Sequence, residues 1–168
     1  MHETPDDIDR LQRLLDDTYA ASGAHLREVI TPGRRLDALA VVRELVGMRL
    51  LVLATATHDG RPIAGPVDGI FYRGSFHFGS SPDSVRFRHI RRGSTVSATY
   101  LPGEEVSVTV HGPARLVDIT ASEHRGFRQT LLDIYTPRYG AEWEKFLDSG
   151  PVYARIDAER MYTFSMPA

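Results

Sequence analysis

Hydrophobic positions along the chain first change period near Arg49. Before it the spacing is helical. Over Asp6–Ala21, residues Ile8, Leu11, Leu14, Leu15, Thr18 and Tyr19 fall on one face, Asp6 and Asp7 favour the N-terminus, and Gly23 ends the run. A polar connection through Thr31-Pro32-Gly33 leads to a second helix over Leu36–Val46, with Leu39, Val42, Leu45 and Val46 on its apolar side and Gly47 as the stop. These N-terminal helices, spanning about 6–46, read as packing elements without chemistry of their own.

From Leu50 the pattern is that of strands. Leu50–Thr57 is rich in Leu, Val and Thr, His58-Asp59-Gly60 supplies a hairpin turn, and Arg61–Val67 returns as its partner. Pro62 and Pro66 cannot donate to a ladder, so they imply an edge or a bulge. Asp68-Gly69 is read as an interruption before Ile70–Tyr72, and Arg73-Gly74 as the next turn. Thr95–Leu101, Glu104–His111 and Ala114–Val117 follow as strands, with Val106, Val108 and Val110 on one face and a kink at Gly112-Pro113. Thr120 and Glu123 have capping-box spacing ahead of a helix that Thr136-Pro137 is expected to break. A shorter helical piece then runs to about Leu147, with Trp143 and Phe146 turned inward, before strands at Val152–Ile156 and Met161–Phe164. Six or seven short strands joined by tight turns predict a mostly β domain with flanking helices, closed into an antiparallel barrel, over the whole of residues 1–168.

Composition narrows the chemistry. The chain has no cysteine, which excludes disulfides, thiolate metal sites and cysteine nucleophiles. Its seven His show no paired metal spacing, so no metal is expected, and there is no G-x-S-x-G, Walker or dinucleotide fingerprint. A polar, acidic start and the lack of any apolar run of about 20 residues argue against a leader and a membrane span, making a cytoplasmic protein the expectation. Net charge is −2, so no global basic field points to nucleic acid. The positive charge is local: Arg86, Arg88, Arg91 and Arg92 crowd one predicted helix.

That helix belongs to the most informative stretch, Phe76–Arg92, read as a strand, a Ser/Pro/Asp corner and a basic helix. Gly79 frees the backbone to change direction, Ser80 or Ser81 caps the helix, and Pro82 takes its first position. Hydroxyls of Ser80, Ser81 and Ser84 with the Arg86 guanidinium near a helix start suit a phosphate. An ordinary capped surface helix fits the same residues. His77, between Phe76 and Phe78, reads as a hydrogen-bonded structural histidine.

The run Leu53–Val67 (LATATHDGRPIAGPV), the later Ser80, Ser84 and Arg86, the strand pair Thr95–Leu101 and Glu105–Val117, and the closing ERMYTF (Glu159–Phe164) together resemble the pyridoxamine 5′-phosphate oxidase-like, FMN-binding split barrels over roughly residues 36–164. The resemblance implies a six-stranded, Greek-key split β-barrel that forms a homodimer, with flavin mononucleotide (FMN) in each of two grooves between subunits. By position Ser80, Ser81, Ser84 and Arg86 would hold the phosphate, Gly79 would admit the ribityl chain, and Pro66, Val67 and Asp68 would lie along the ring. A turn acid beside Gly69 accounts for Asp68 equally well. Two departures stand out: Arg86 occupies a position where many members have Lys, and the C-terminal Arg-Leu-x-Pro of true pyridoxamine phosphate oxidases is absent. The implied function is therefore a flavin-dependent oxidoreductase acting on an unidentified small molecule, not a vitamin B6 oxidase. Three alternatives remain open: a deazaflavin enzyme using Arg61, Arg88 and Arg91 at the groove mouth, a non-enzymatic flavin or haem carrier, and, on the Arg cluster alone, a nucleic-acid module lacking interleaved aromatics.

Overall fold

The structure is a computed structural model that describes residues 1–166. Three strands, β1 (Met48–Ala56), β2 (Pro62–Tyr72) and β3 (Ser75–Ser80), form a meander; β4 (Thr95–Tyr100) and β5 (Val106–Val117) form a hairpin; β6 (Val152–Ile156) and β7 (Arg160–Ser165) close the chain. All pairings are antiparallel, and the ring β1-β2-β3-β6-β5-β4 returns to β1, giving a closed six-stranded barrel with flanking helices. The twelve-residue β5 makes closure possible: its first half pairs with β7 and its second half with β6. The partners change at Gly112, where a Cβ would stand 2.1 Å from the Asp157 carbonyl oxygen, so only glycine lets the strands cross so closely.

The β2–β3 turn has two residues, and both Arg73 (φ 52°) and Gly74 (φ 78°) adopt positive φ, as a type I′ hairpin turn requires. Arginine is a poor choice there, and its conformation is held from outside: Arg73 Nε donates to Asp7 Oδ2 at 2.8 Å. Asp7 belongs to α1 (Pro5–Ala20), whose N-cap Thr4 exchanges hydrogen bonds with it in a capping box. Thr18 at the other end of α1 accepts from Met161 N at 3.1 Å, seating the helix on β7. Helix α3 (Ala38–Glu44) adds Val41, Val42 and Leu45 to the barrel core around Leu51, Phe76, Phe78 and Val108. A second core of Ile70, Phe127, Leu131, Leu147 and Tyr153 lies under α5 (Arg125–Tyr139) and α6 (Glu142–Asp148).

Several local expectations change. The connection after α1 contains a helix, α2 (Ala24–Val29), with no side-chain cap and no buried residue, hence no periodic signal to read. Asp68-Gly69 does not interrupt β2; Gly69 is there because a Cβ would sit 2.3 Å from Leu51 Cδ1. Thr120 turns back to Asp118 Oδ1 instead of capping, and a 3₁₀ turn at Ser122–His124 starts α5. Pro137 falls in the last turn of α5 and does not break it; Gly140 (φ 72°) ends the helix. Trp143 is half-buried and Phe146 is 45% exposed, so Leu147 is the residue of α6 that enters the core.

The corner after β3 also differs. Ser84, not Ser80 or Ser81, caps helix α4 (Val85–Arg91), through a long 3.4 Å bond from Phe87 N. Ser80 is the last residue of β3. Ser84 N bonds Ser81 O at 3.0 Å, placing Pro82 second in a four-residue turn, a position its fixed φ suits as well as a helix start. With only seven residues in α4, a helix dipole is a minor contributor at this corner.

Candidate functional site

The site forms where the sheet comes apart. The β2–β3 ladder stops at Gly69↔Phe78. Beyond it, residues 66–68 continue with β1 alone while Gly79 and Ser80 continue with β6. Pro66 therefore lies in the half of β2 with one open edge, where its missing N–H goes unmissed. The gap is a cavity of about 320 Å³, within the range of small-ligand sites.

One end is polar. Ser80 and Ser81 line it from the β3 end, and Arg86 reaches across from α4 to donate to the Pro66 carbonyl at 3.2 Å. Partial burial lowers the Arg86 pKa from the usual guanidinium value, and no carboxylate lies within ion-pair distance of it among the described residues. Gly79 forms part of the wall because a Cβ there would meet the Tyr153 ring at 2.7 Å.

The other end is aromatic and carries one acid. Pro66 and Asp68 face outward, whereas Val67 turns its side chain into the barrel and offers the cavity its backbone. Tyr135 Oη donates to Asp68 Oδ2 at 3.0 Å. The Tyr135 ring packs tilted against Trp143 with centroids 4.4 Å apart, and the Trp143 and Phe146 centroids are 4.8 Å apart. Tyr153 completes the lining. Burial, reinforced by the Asp68 charge, pushes the Tyr153 phenol up to about 12 and Tyr135 further in the same direction. Both hydroxyls thus stay protonated. Trp143 Nε1 is buried without a hydrogen-bond partner among the described residues.

Of the residues singled out in the sequence, Pro66, Val67, Asp68, Gly79, Ser80, Ser81 and Arg86 meet in this cavity. Ser84 does not line it and serves as the α4 cap. The sequence reading missed Tyr135, Tyr153 and the role of Trp143 and Phe146. Only the three-residue spacing of Trp143 and Phe146 carried a hint, a shared helix face. Of the mouth residues expected for a deazaflavin, Arg61, Arg88 and Arg91, none lines the cavity; Arg61 pairs with Asp59 at 2.9 Å and Arg91 donates to the Pro82 carbonyl at 2.7 Å. His77 is buried, donates from Nδ1 to Ser75 O at 3.1 Å and stacks on Phe127, as a structural histidine would. No described cluster of His, Cys, Asp and Glu could hold a metal, and no helix is long and apolar enough to cross a membrane among the described residues.

No family model matches the sequence, and no curated protein is similar to it. Solved structures do match. A conserved hypothetical protein of Mycobacterium tuberculosis aligns with a TM-score of 0.62 at 20% identity, over 80% of this chain and 92% of its own. An FAD-binding protein of Mesorhizobium loti aligns at 0.57 and 22% identity, over 77% and 93%. An FAD- and haem-binding protein of Mycobacterium smegmatis aligns at 0.58 and 18% identity, over 74% and 68%. What is shared at these identities is the fold, a split barrel.

Proposed function

We propose that the chain is an FMN-dependent oxidoreductase on the split-barrel fold, acting on a small molecule. The observation that carries this reading is the convergence of Ser80, Ser81 and Arg86 with the outward edge of β2 on one cavity. An unpaired, partly buried guanidinium beside two hydroxyls suits a phosphate monoester. The backbone of residues 66–68 suits the edge of a flat ring. Bound there, FMN would supply the redox chemistry. The protein's share is to hold the phosphate at Ser80, Ser81 and Arg86, to seat the ring against β2, and to keep water from it with α5 and α6. For a haem carrier, the described lining offers no histidine, only Tyr135 and Tyr153 as candidate axial ligands.

The test separates a phosphate site from a basic surface. Arg86→Ala weakens FMN binding, followed by flavin fluorescence, by about 10- to 150-fold, the worth of a charge-assisted hydrogen bond. Arg92→Ala, just beyond α4, leaves it within about twofold, and Arg86→Lys retains most of it. Equal losses for the two alanine variants would remove the phosphate site.

The same reading includes a homodimer. The outward side of β1 is apolar: Leu50 is 63% and Val52 55% exposed, with Val52 paired to Pro66 at the cavity rim. Exposed Ala64, paired with Ala54 on the same outward face, continues the strip. A second copy covering this face would also roof the cavity. Light scattering should give a dimer mass, and Val52→Asp, placing a charge at the centre of the strip, should shift it to monomer with loss of FMN affinity. A monomer that binds FMN as tightly as the unaltered protein would end this part of the proposal.

A further inference from the structure

The cavity holds two opposite charges that do not pair. Arg86 bonds the Pro66 carbonyl, and Asp68 stands two residues further along the same outward face of β2, about 7 Å away at strand spacing. Asp68 has no cation within ion-pair distance among the described residues; its one hydrogen bond is from Tyr135. The cavity that Asp68 lines is also lined by four rings, Tyr135, Trp143, Phe146 and Tyr153. The rings position the acid: the Tyr135 ring, whose hydroxyl donates to Asp68, packs on Trp143 with centroids 4.4 Å apart, and Trp143 packs on Phe146 at 4.8 Å.

An acid in an aromatic enclosure selects by charge. Ring faces attract cations through their quadrupole, and the Asp68 carboxylate, which no cation neutralises among the described residues, adds to that attraction. The same carboxylate repels a phosphate or carboxylate ligand. A neutral planar ligand would gain from the rings and nothing from Asp68. We infer that this end of the cavity is a subsite for a compact organic cation, an alkylated or aryl-bearing ammonium, with Asp68 as counter-ion, Trp143 and Phe146 as ring faces, and Tyr135 as the residue positioning Asp68. The inference goes beyond the FMN reading: the cation takes the stretch of cavity that reading gives to the flavin ring, at the opposite end from the phosphate, so the two ligands compete there.

Trp143 is the only tryptophan of the chain, so its fluorescence reports on this subsite alone. The full chain is titrated with benzyltrimethylammonium, benzyl alcohol and benzoate, with calorimetry in parallel. The cation is expected to saturate the signal with a dissociation constant at least about tenfold below that of the alcohol, and benzoate to give no saturation. Asp68→Asn, which keeps an oxygen for the Tyr135 hydroxyl, erases the preference for the cation. Phe146→Ala, at a partly exposed ring, weakens the cation several-fold without touching the acid. Arg86→Ala loses FMN but does not weaken the cation, so a failure of the FMN reading and a failure of this one are told apart. Equal affinity for cation and alcohol, a preference that survives Asp68→Asn, or no saturable response to the cation overturns the proposal.

Discussion

Two aspartates beside β2 face opposite situations. Asp7, beside the Arg73-Gly74 turn, is buried, accepts from Thr4 N and Oγ1, from Arg73 and from Arg10, and closes a capping box. Asp68, at the point where β2 leaves β3, is exposed and accepts from a single tyrosine. Burial by itself would raise the Asp7 carboxyl, but the bonds from Arg73 and Thr4 overcome it and hold the group at about 2. The first acid is consumed by the fold, which uses it to fasten α1 to a turn of unfavourable φ. The second is left open. The same division separates Arg73, tied to Asp7, from Arg86, which has only a backbone carbonyl. Polar groups that the fold does not use are the ones to test for ligands.

The sharpest way to break this comparison is to remove each acid. Asp7→Ala should cost about 3 kcal/mol in denaturant unfolding, from a lost cap and a lost charged hydrogen bond to Arg73. Asp68→Asn should change stability by no more than about 0.5 kcal/mol. Similar costs for the two would mean that Asp68 is structural after all.

A second prediction concerns pH. The crevice that Asp7 and Arg73 line also contains His77, which burial drives down to about 3 from its ordinary 6.5. The unfolded chain takes up a proton below about 6.5 and the folded chain does not. Stability should therefore be flat above pH 6.5 and fall by about 1.4 kcal/mol per unit below it, reaching about 2 kcal/mol by pH 5. Asp7 acts later and in the same sense: its depressed carboxyl contributes fully above about pH 4, and the contribution is lost as pH falls towards 2. Urea titrations of His77→Gln should show the slope between pH 6.5 and 4.5 flattened. An unchanged slope would place the acid sensitivity elsewhere.

What could be read from the sequence follows the range of the interactions involved. Alternation in β1, β4 and β5 and the apolar face of α1 are local patterns, so the barrel strands and the first helix were legible. So was the polar end of the cavity, because Gly79, Ser80, Ser81 and Arg86 are close in sequence. The aromatic end was not, since Tyr135 and Tyr153 reach Asp68 across 67 and 85 residues and no spacing rule links them. Glycines misled for the same reason: Gly69 and Gly79 are required by the side chains of Leu51 and Tyr153, which come from other strands. The α4 start was misplaced because three serines and a proline offered competing caps, and only the turn at Ser81–Ser84 decides among them.

That decision yields the smallest effect and the finest distinction. Ser84 and Ser80 sit four residues apart and carry the same hydroxyl, yet one caps α4 and the other lines the cavity. Ser84→Ala should cost about 1 kcal/mol of stability, the usual worth of an N-cap, and the long 3.4 Å bond argues for no more than that. Because its hydroxyl is outside the cavity lining, FMN affinity should stay within about twofold. Ser80→Ala should do the reverse: β3 keeps its backbone pairing with Val152, so stability hardly moves, while a lost hydroxyl contact to the phosphate costs several-fold in FMN affinity. If Ser84→Ala instead weakens FMN as much as Ser80→Ala does, the hydroxyl of Ser84 must leave its cap to reach the phosphate. The division between residues the fold consumes and residues it leaves open would then fail at this corner.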